Sequence, residues 1–317
     1  MNDATALLIG GRGFIGSALT GALVDRGYRI VCAEPTATTL GRLTPYGDHV
    51  ELRTGSVADP EALAELVHDV SPACVVNLAY ARGLSIADEM DVMCRGIWNT
   101  LEAARLAGCP RVVLASSVRV YGPQRVHGAQ TVLNEESLCK PIARYGYYKL
   151  VGEQLARDYN STHDMQASAL RIPMAYGPGV REGAFGVCSP AVAAATSEPI
   201  VLPYDPTSQL CLAHIDEVAA ALATLADPNG PAPQHAVYEL GGSITSYADM
   251  AAIATELVPG ASIEFAPTAE RPEQDFAYQL DGSRLRNEFG LHHRSVRDGY
   301  QTIVDHLRDT AGQGRPT

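Results

Sequence analysis

From Ala4 to Arg171 the chain alternates short apolar runs with longer stretches in which apolar residues recur every three or four positions. The runs near 4–9, 29–33, 49–54, 73–78, 110–116 and 165–171 predict strands, and the periodic stretches near 14–26, 60–69, 86–107 and 143–162 predict helices. Strands that alternate with helices build a parallel sheet covered on both faces, so the expected fold class is α/β with a doubly wound sheet. After Pro173 the rhythm breaks into Gly- and Pro-rich turns and shorter elements, as expected of a smaller α/β lobe. The expected division is a sheet domain over 1–172 and a lobe over 173–317. A stretch near 208–227 is expected to return to the edge of the main sheet, and the tail to fray from about Ala311.

Composition narrows the class. The 317 residues are 46% hydrophobic with a net charge of -12, a balance that fits a globular chain with a sizeable core. An acidic pI near 5.2 leaves no basic stripe for nucleic acid or an anionic membrane. No segment approaches the roughly twenty uninterrupted apolar residues of a bilayer span. The first strand starts within a few residues of Met1, leaving no room for a secretion signal, so a cytoplasmic location is expected. The seven cysteines (32, 74, 94, 109, 139, 188 and 211) never form a Cys-x-x-Cys pair, which fits reduced core thiols and no metal site.

Two motifs carry chemistry. Ala6 to Ile9 runs directly into Gly10-Gly11-Arg12-Gly13-Phe14-Ile15-Gly16. Glycines 10, 13 and 16 permit a tight turn, close approach of backbone to a pyrophosphate, and close packing of the next helix, whose first amides face the phosphates. A second strand then ends at Glu34, about where a Rossmann-type dinucleotide site places the acid that holds the adenosine ribose. The charge of Glu34 would repel a 2′-phosphate, which favours NAD over NADP, although Arg12 and Arg42 are cations that could partly reverse this. Further along, Tyr145 and Lys149 stand four apart on a predicted helix, hence on one face, where an ammonium can stabilise a phenolate. Free tyrosine titrates near 10, so a base near neutrality needs about 4 kcal/mol of preferential phenolate stabilisation.

Together these residues resemble the extended short-chain dehydrogenase/reductase family, also called the NAD-dependent epimerase/dehydratase family. The resemblance covers nearly the whole chain. Its landmarks are the glycine turn, Asn77-Leu78-Ala79, Ser116-Ser117-Val118-Arg119-Val120-Tyr121-Gly122, Tyr145 to Lys149 continuing into Gly152-Glu153, and Leu170-Arg171 leading to Tyr176-Gly177-Pro178. The resemblance implies a catalytic set of Ser117, Tyr145 and Lys149, with Ser116 as the rival serine. Ser117 would bond the substrate oxygen, Tyr145 exchange its proton, and Lys149 hold the nicotinamide ribose. It also implies NAD contacts at Gly10, Gly13, Phe14, Ile15, Gly16, Glu34, Ser56, Val57, Leu78, Ala79 and Pro173, besides Tyr145 and Lys149. A homodimer is expected by the same analogy, through the helices near 86–107 and 143–162.

The departures from the family pattern bear on the substrate. The Asp-Glu pair with which 4,6-dehydratases perform elimination is replaced by Val118-Arg119. Met174 and Leu210 stand where nucleotide-sugar enzymes keep an asparagine and, close by, an arginine for the diphosphate. Missing charge-assisted donors argue for a smaller substrate, with Arg82, Ser117, Arg119, Met174 and Arg181 as candidate contacts. Met93 replaces a family asparagine that organises the water network behind the lysine. The expected activity is therefore an NAD-dependent dehydrogenase or reductase of a small hydroxy compound (a sugar, sugar acid or hydroxy amino acid). The alternatives are an NAD-dependent sugar or nucleotide-sugar epimerase and a non-catalytic dinucleotide-binding interaction protein.

Overall fold

A computed structural model describes residues 4–36, 39–81, 83–163, 165–180, 184–270 and 276–312. The first half lays down β1 (Thr5–Ile9), α1 (Phe14–Val24), β2 (Arg29–Glu34), β3 (Val50–Thr54), α2 (Pro60–Val70), β4 (Cys74–Asn77), α3 (Ile86–Met90), α4 (Gly96–Leu106), β5 (Val112–Ser117), α5 (Arg144–His163) and β6 (Ala167–Ile172). The second half adds β7 (Met174–Tyr176), α6 (Ser189–Thr196), β8 (Ile200–Tyr204), β9 (Gln209–His214), α7 (Ile215–Ala226), β10 (Val237–Glu239), β11 (Ser243–Ser246), α8 (Tyr247–Leu257), β12 (Ile263–Glu270), α9 (Ser283–Phe289) and α10 (Val296–Gly312). Local chemistry sets many of these limits. Asp59 caps α2 by accepting from the Ala62 amide at 3.1 Å, with Pro60 at the first helical position, and Gly27 turns the chain after α1 at φ 86°.

Seven strands form one parallel sheet in the order β10-β6-β5-β4-β1-β2-β3. Near-continuous apolar strands such as Ala6-Leu7-Leu8-Ile9 are buried on both faces, which is what a sheet sandwiched between helix layers requires. Leu19 and Leu23 of α1 pack with Ala221, Leu222 and Leu225 of α7 on one face. Leu66 of α2, Leu101 of α4 and Ala156 of α5 fill the other. β1 lies between β2 and β4, so consecutive connections leave it toward opposite faces and open a crevice at its carboxyl end.

The remaining elements form the lobe. β11, β9 and β7 make a three-stranded sheet and β12 pairs with β8, around a core that includes Tyr176, Tyr247, Met250 and Tyr300. The structure corrects the expected return of 208–227 to the main sheet. β9 pairs with β7 and β11 in the second sheet, α7 covers a face of the central sheet, and the edge strand is β10, paired with β6 from Val237 to Glu239. The cause is Pro173, which cannot donate to a ladder, so the chain leaves the main sheet there and Met174–Tyr176 offers its edge to β9. The helix expected over 86–107 is interrupted by a π turn at Asp91–Arg95, which contains Met93. The last helix passes through Ala311 to Gly312, and 313–317 lie outside the described residues.

Candidate active site

The crevice at the carboxyl end of β1 holds two adjoining cavities of about 360 Å³ and about 1320 Å³, with Gly10, Tyr80 and Ala81 lining both. The smaller is bounded by Glu34 and Pro35 after β2, Ser56 and Val57 after β3, and Ala79 after β4. The larger runs from Gly13, Phe14, Ile15 and Gly16 past Leu78 to Ser117, Tyr145 and Lys149, and on to Pro173 and Met174. Every sequence-predicted cofactor position thus lines one or other part of a single continuous crevice.

Its backbone fits a dinucleotide. Gly10 has φ 77°, and a Cβ there would press on the Leu78 and Ala79 backbone at 3.2 Å. A Cβ on Gly16 would overlap the Gly11 carbonyl, so α1 reaches the sheet only with glycine at that position. Gly13 begins α1 with no side-chain cap, leaving the first amides to an anion. At the smaller end the Glu34 carboxylate accepts from the Arg12 amide at 2.8 Å. The Arg12 guanidinium turns to the Thr36 carbonyl and the Thr39 hydroxyl, both at 3.2 Å, while Arg42 reaches the Gly179 carbonyl at 2.7 Å. Both cations are thus engaged with loop groups, and the acid remains on the wall, an arrangement suited to a free ribose hydroxyl.

At the other end, β5 finishes at Ser117, whose hydroxyl accepts from the Arg119 amide at 3.3 Å as the chain turns through Val118–Val120. Helix α5 approaches this turn closely because residue 146 is glycine: a Cβ there would lie 2.5 Å from the Arg119 carbonyl oxygen. That approach brings Tyr145 to Ser117. Burial pushes the Tyr145 phenol up to about 12, against the lowering effects of the Ser117 hydrogen bond and the Arg119 charge. The Lys149 ammonium, 5% exposed, donates to the Ala115 carbonyl at 2.6 Å and lies 5.5 Å from the Tyr145 ring centre. Burial pulls it down to about 8. The rival Ser116 points the other way and donates to buried Glu153 at 2.6 Å.

Several contributors escaped the sequence reading. Tyr80 packs edge-on against Tyr145, ring centres 5.4 Å apart at 88°, and no local motif marks it. Glu89 and Arg144 line the cleft as an ion pair at 3.2 Å. Arg171 grips Glu153 with two bonds of 2.8 and 2.6 Å and donates to the Tyr121 hydroxyl at 2.8 Å; the landmark residues Arg171 and Glu153 were visible, but not their pairing. Met93 faces the same region, and its sulfur accepts from the Ala81 amide at 3.4 Å. Asn77 bonds the Ala79 amide and Thr100, and Asn99 the Val57 carbonyl, so both brace cofactor-wall loops. Leu210 is fully buried in the lobe core, so that position presents no donor to a ligand. The candidate substrate contacts Arg82 and Arg181 lie outside the described residues. Among the described residues no three His, Cys, Asp or Glu side chains gather as a metal site, and no helix is long and apolar enough to cross a membrane.

The chain belongs to the NAD dependent epimerase/dehydratase family, whose profile matches residues 6–241. It is 31% identical over 182 residues to a D-erythronate dehydrogenase of Cupriavidus necator, covering 53% of this chain and 54% of that protein. It is 30% identical over 182 residues to a UDP-glucose 4-epimerase of Azospirillum brasilense, covering 54% of this chain and 50% of that one. The chain thus spans about half the length of these curated relatives. Among solved structures, the holo form of an L-threonine dehydrogenase from Cupriavidus necator superposes with a TM-score of 0.82 at 23% identity, covering 96% of this chain and 99% of that one, a likeness of fold.

Proposed function

We propose that the chain is an NAD-dependent oxidoreductase that moves hydride between nicotinamide and the secondary alcohol or ketone of a small hydroxy compound, with Tyr145 as general acid and base. The observation that carries this reading is the gathering of Ser117, Tyr145 and Lys149 in a crevice that continues to the glycine turn and Glu34. NAD, when bound, would supply the hydride acceptor or donor and, in its oxidised form, a positive charge. Gly10, Gly13, Phe14, Ile15 and Gly16 would hold the pyrophosphate, Glu34 the adenosine ribose with Ser56 and Val57 beside it, and Leu78, Ala79 and Pro173 the wall along the cofactor. Ser117 would orient the substrate oxygen, Tyr145 would take or return its proton, and Lys149 would keep a positive charge behind the phenol and hold the nicotinamide ribose. Val118 in place of an acid removes the elimination route. Met174 on the cleft wall and buried Leu210 offer no charged grip for a diphosphate, which supports a small substrate.

The test is a screen of hydroxy acids, β-hydroxy amino acids and free sugars with NAD, read as NADH absorbance. Turnover is expected with a member of one class, falling about 10²- to 10⁴-fold in Tyr145→Phe. Retained cofactor, interconversion of epimers and no net NADH would instead establish the second reading, an epimerase, which the Azospirillum brasilense relative favours. We place the enzyme in the cytoplasm as a homodimer. Exposed Trp98 on α4 and Tyr147 and Val151 on α5 support pairing through these helices, and sedimentation of Val151→Glu as a monomer would bear this out.

A further inference from the structure

Most polar side chains on the cleft wall around Tyr145 are already occupied. Arg144 meets Glu89 at 3.2 Å, Lys149 donates to the Ala115 carbonyl at 2.6 Å, and Ser116 donates to Glu153 at 2.6 Å. The Arg119 guanidinium carbon lies 5.9 Å and 5.5 Å from the ring centres of Phe185 and Phe276. Tyr148 differs from all of these. It lines the larger cavity and is 8% exposed, yet its hydroxyl is buried and finds no hydrogen-bond partner among the described residues. An unpaired buried hydroxyl costs stability, so a group that keeps one beside a ligand cleft calls for a partner that arrives from outside the chain.

The place of Tyr148 on α5 selects the ligand. It stands four residues after Arg144 and four before Gly152, so the three share one face of the helix. At one end of that stripe Arg144 reaches Glu89 of α3, and at the other a Cβ on Gly152 would lie 2.9 Å from the side chain of Ile97, in the first turn of α4. Tyr148 therefore faces the stretch between α3 and α4, which holds the π turn Asp91–Arg95 and the Met93 sulfur that accepts from the Ala81 amide. This is the side of the cofactor wall that follows β4. Gly146 marks the other side, because it abuts the Arg119 carbonyl in the turn that begins at Ser117. Tyr145 and Lys149 lie between the two sides.

We infer that the Tyr148 hydroxyl is a further cofactor contact, bonding a hydroxyl of the nicotinamide ribose. This rests on the placement of NAD proposed above, with its nicotinamide end at Tyr145 and Lys149. A hydroxyl is donor and acceptor at once, whereas the Lys149 ammonium has three donors and no acceptor, with one donor taken by Ala115. Lys149 can serve the ribose oxygens but cannot accept from the ribose O–H groups. The Tyr148 phenol oxygen can, so lysine and tyrosine together satisfy the diol in both senses. The new bond would offset the cost of burying the phenol.

The experiment is fluorescence titration with NADH, followed by its displacement with ADP-ribose and with ADP, in the native protein and in Tyr148→Phe. ADP-ribose carries the second ribose without the nicotinamide, and ADP lacks both. The variant is expected to bind NADH and ADP-ribose about 3- to 10-fold more weakly, the span of one neutral hydrogen bond, and ADP with unchanged affinity. Melting without cofactor is the second readout. A phenol bonded inside the protein or to a buried water would make Tyr148→Phe melt lower, whereas removal of an unpaired hydroxyl leaves the melting temperature unchanged or raises it. Four results would each overturn the ribose contact while leaving the NAD enzyme intact: a lower melt of the variant, equal losses for all three ligands, no loss for any, or a loss confined to NADH. Failure of the native protein to bind NADH would instead sink the functional reading, and this contact with it.

Discussion

Tyr145 illustrates how far a residue's neighbours decide its chemistry. Four-residue spacing to Lys149 promised a phenol lowered toward neutrality, yet in the structure burial dominates and pushes it up to about 12. Lys149 is depressed to about 8 by the same burial, so its ammonium is still largely charged at neutral pH. The phenol therefore rests protonated, ready to act as an acid in reduction, and acting as a base requires additional positive charge. The positive ring of oxidised NAD is the source that the crevice can admit. Titration of Tyr145, followed as phenolate absorbance of the native protein minus that of Tyr145→Phe, should move down in pH when NAD is added and much less when NADH is added. Identical curves with the two cofactor forms would show that the nicotinamide charge does not tune this residue.

At the scale of elements, the site is held by a clamp behind it. Glu153 on α5, two helical turns beyond Tyr145, takes both bonds from Arg171 on β6 and one from Ser116 on β5, and all three residues are buried. The clamp fixes the helix that carries Tyr145 and Lys149 against the strand that carries Ser117. Removing one partner leaves a buried charge unmatched, so Arg171→Met should cost about 3–5 kcal/mol in urea unfolding. Arg171→Met combined with Glu153→Leu should recover part of that loss; a double variant as unstable as the sum of its parts would argue against the coupling. The strands and helices of the first 172 residues were legible because each covers a sheet face and so carries a clean apolar period. The π turn at Asp91–Arg95 was not, because it answers to tertiary contacts such as the Met93 sulfur on the Ala81 amide. The lobe was harder still. Its strands are as short as the three residues of β7 and the four of β11, and their partners depend on where Pro173 breaks the main sheet. In the site, Tyr145, Lys149, the glycine turn and Glu34 could be found from spacing, and Ser117 only through the family resemblance. Tyr80, Phe185 and Phe276 could not, because they converge from distant segments without a local pattern.

Across the whole molecule, sheet, lobe and C-terminal helices meet around Glu239, a fully buried carboxylate close to the Tyr121 hydroxyl. Its first oxygen accepts from the Gly241 amide at 3.1 Å, and its own amide donates to Glu135 at 2.7 Å. Arg171, Tyr121, Glu135 and the Cys211 thiol are charged or titratable groups that feel it, while Arg284 of α9 attends to Glu135 and Glu136. Burial pushes Glu239 up from 4.5 to about 8, despite the opposing pull of the Gly241 amide and Arg171. The folded protein therefore holds a proton that the unfolded chain gives up at lower pH. The resulting contribution is complete below about pH 4.5 and is lost as the pH rises through about 8. Each pH unit across that window corresponds to about 1.4 kcal/mol at most. Glu239→Gln keeps the shape of the neutral acid without its proton, so the variant should gain stability over the native protein progressively between those limits. Lys149 contributes the opposite slope above about pH 8, where its depressed value makes stability rise with pH, so the comparison is read below that point. Urea unfolding of the two proteins at matched pH values from 5 to 8 measures the difference. A constant difference across the series would mean that Glu239 is ionised throughout, and that Arg171 then balances two carboxylates where the structure gives it one.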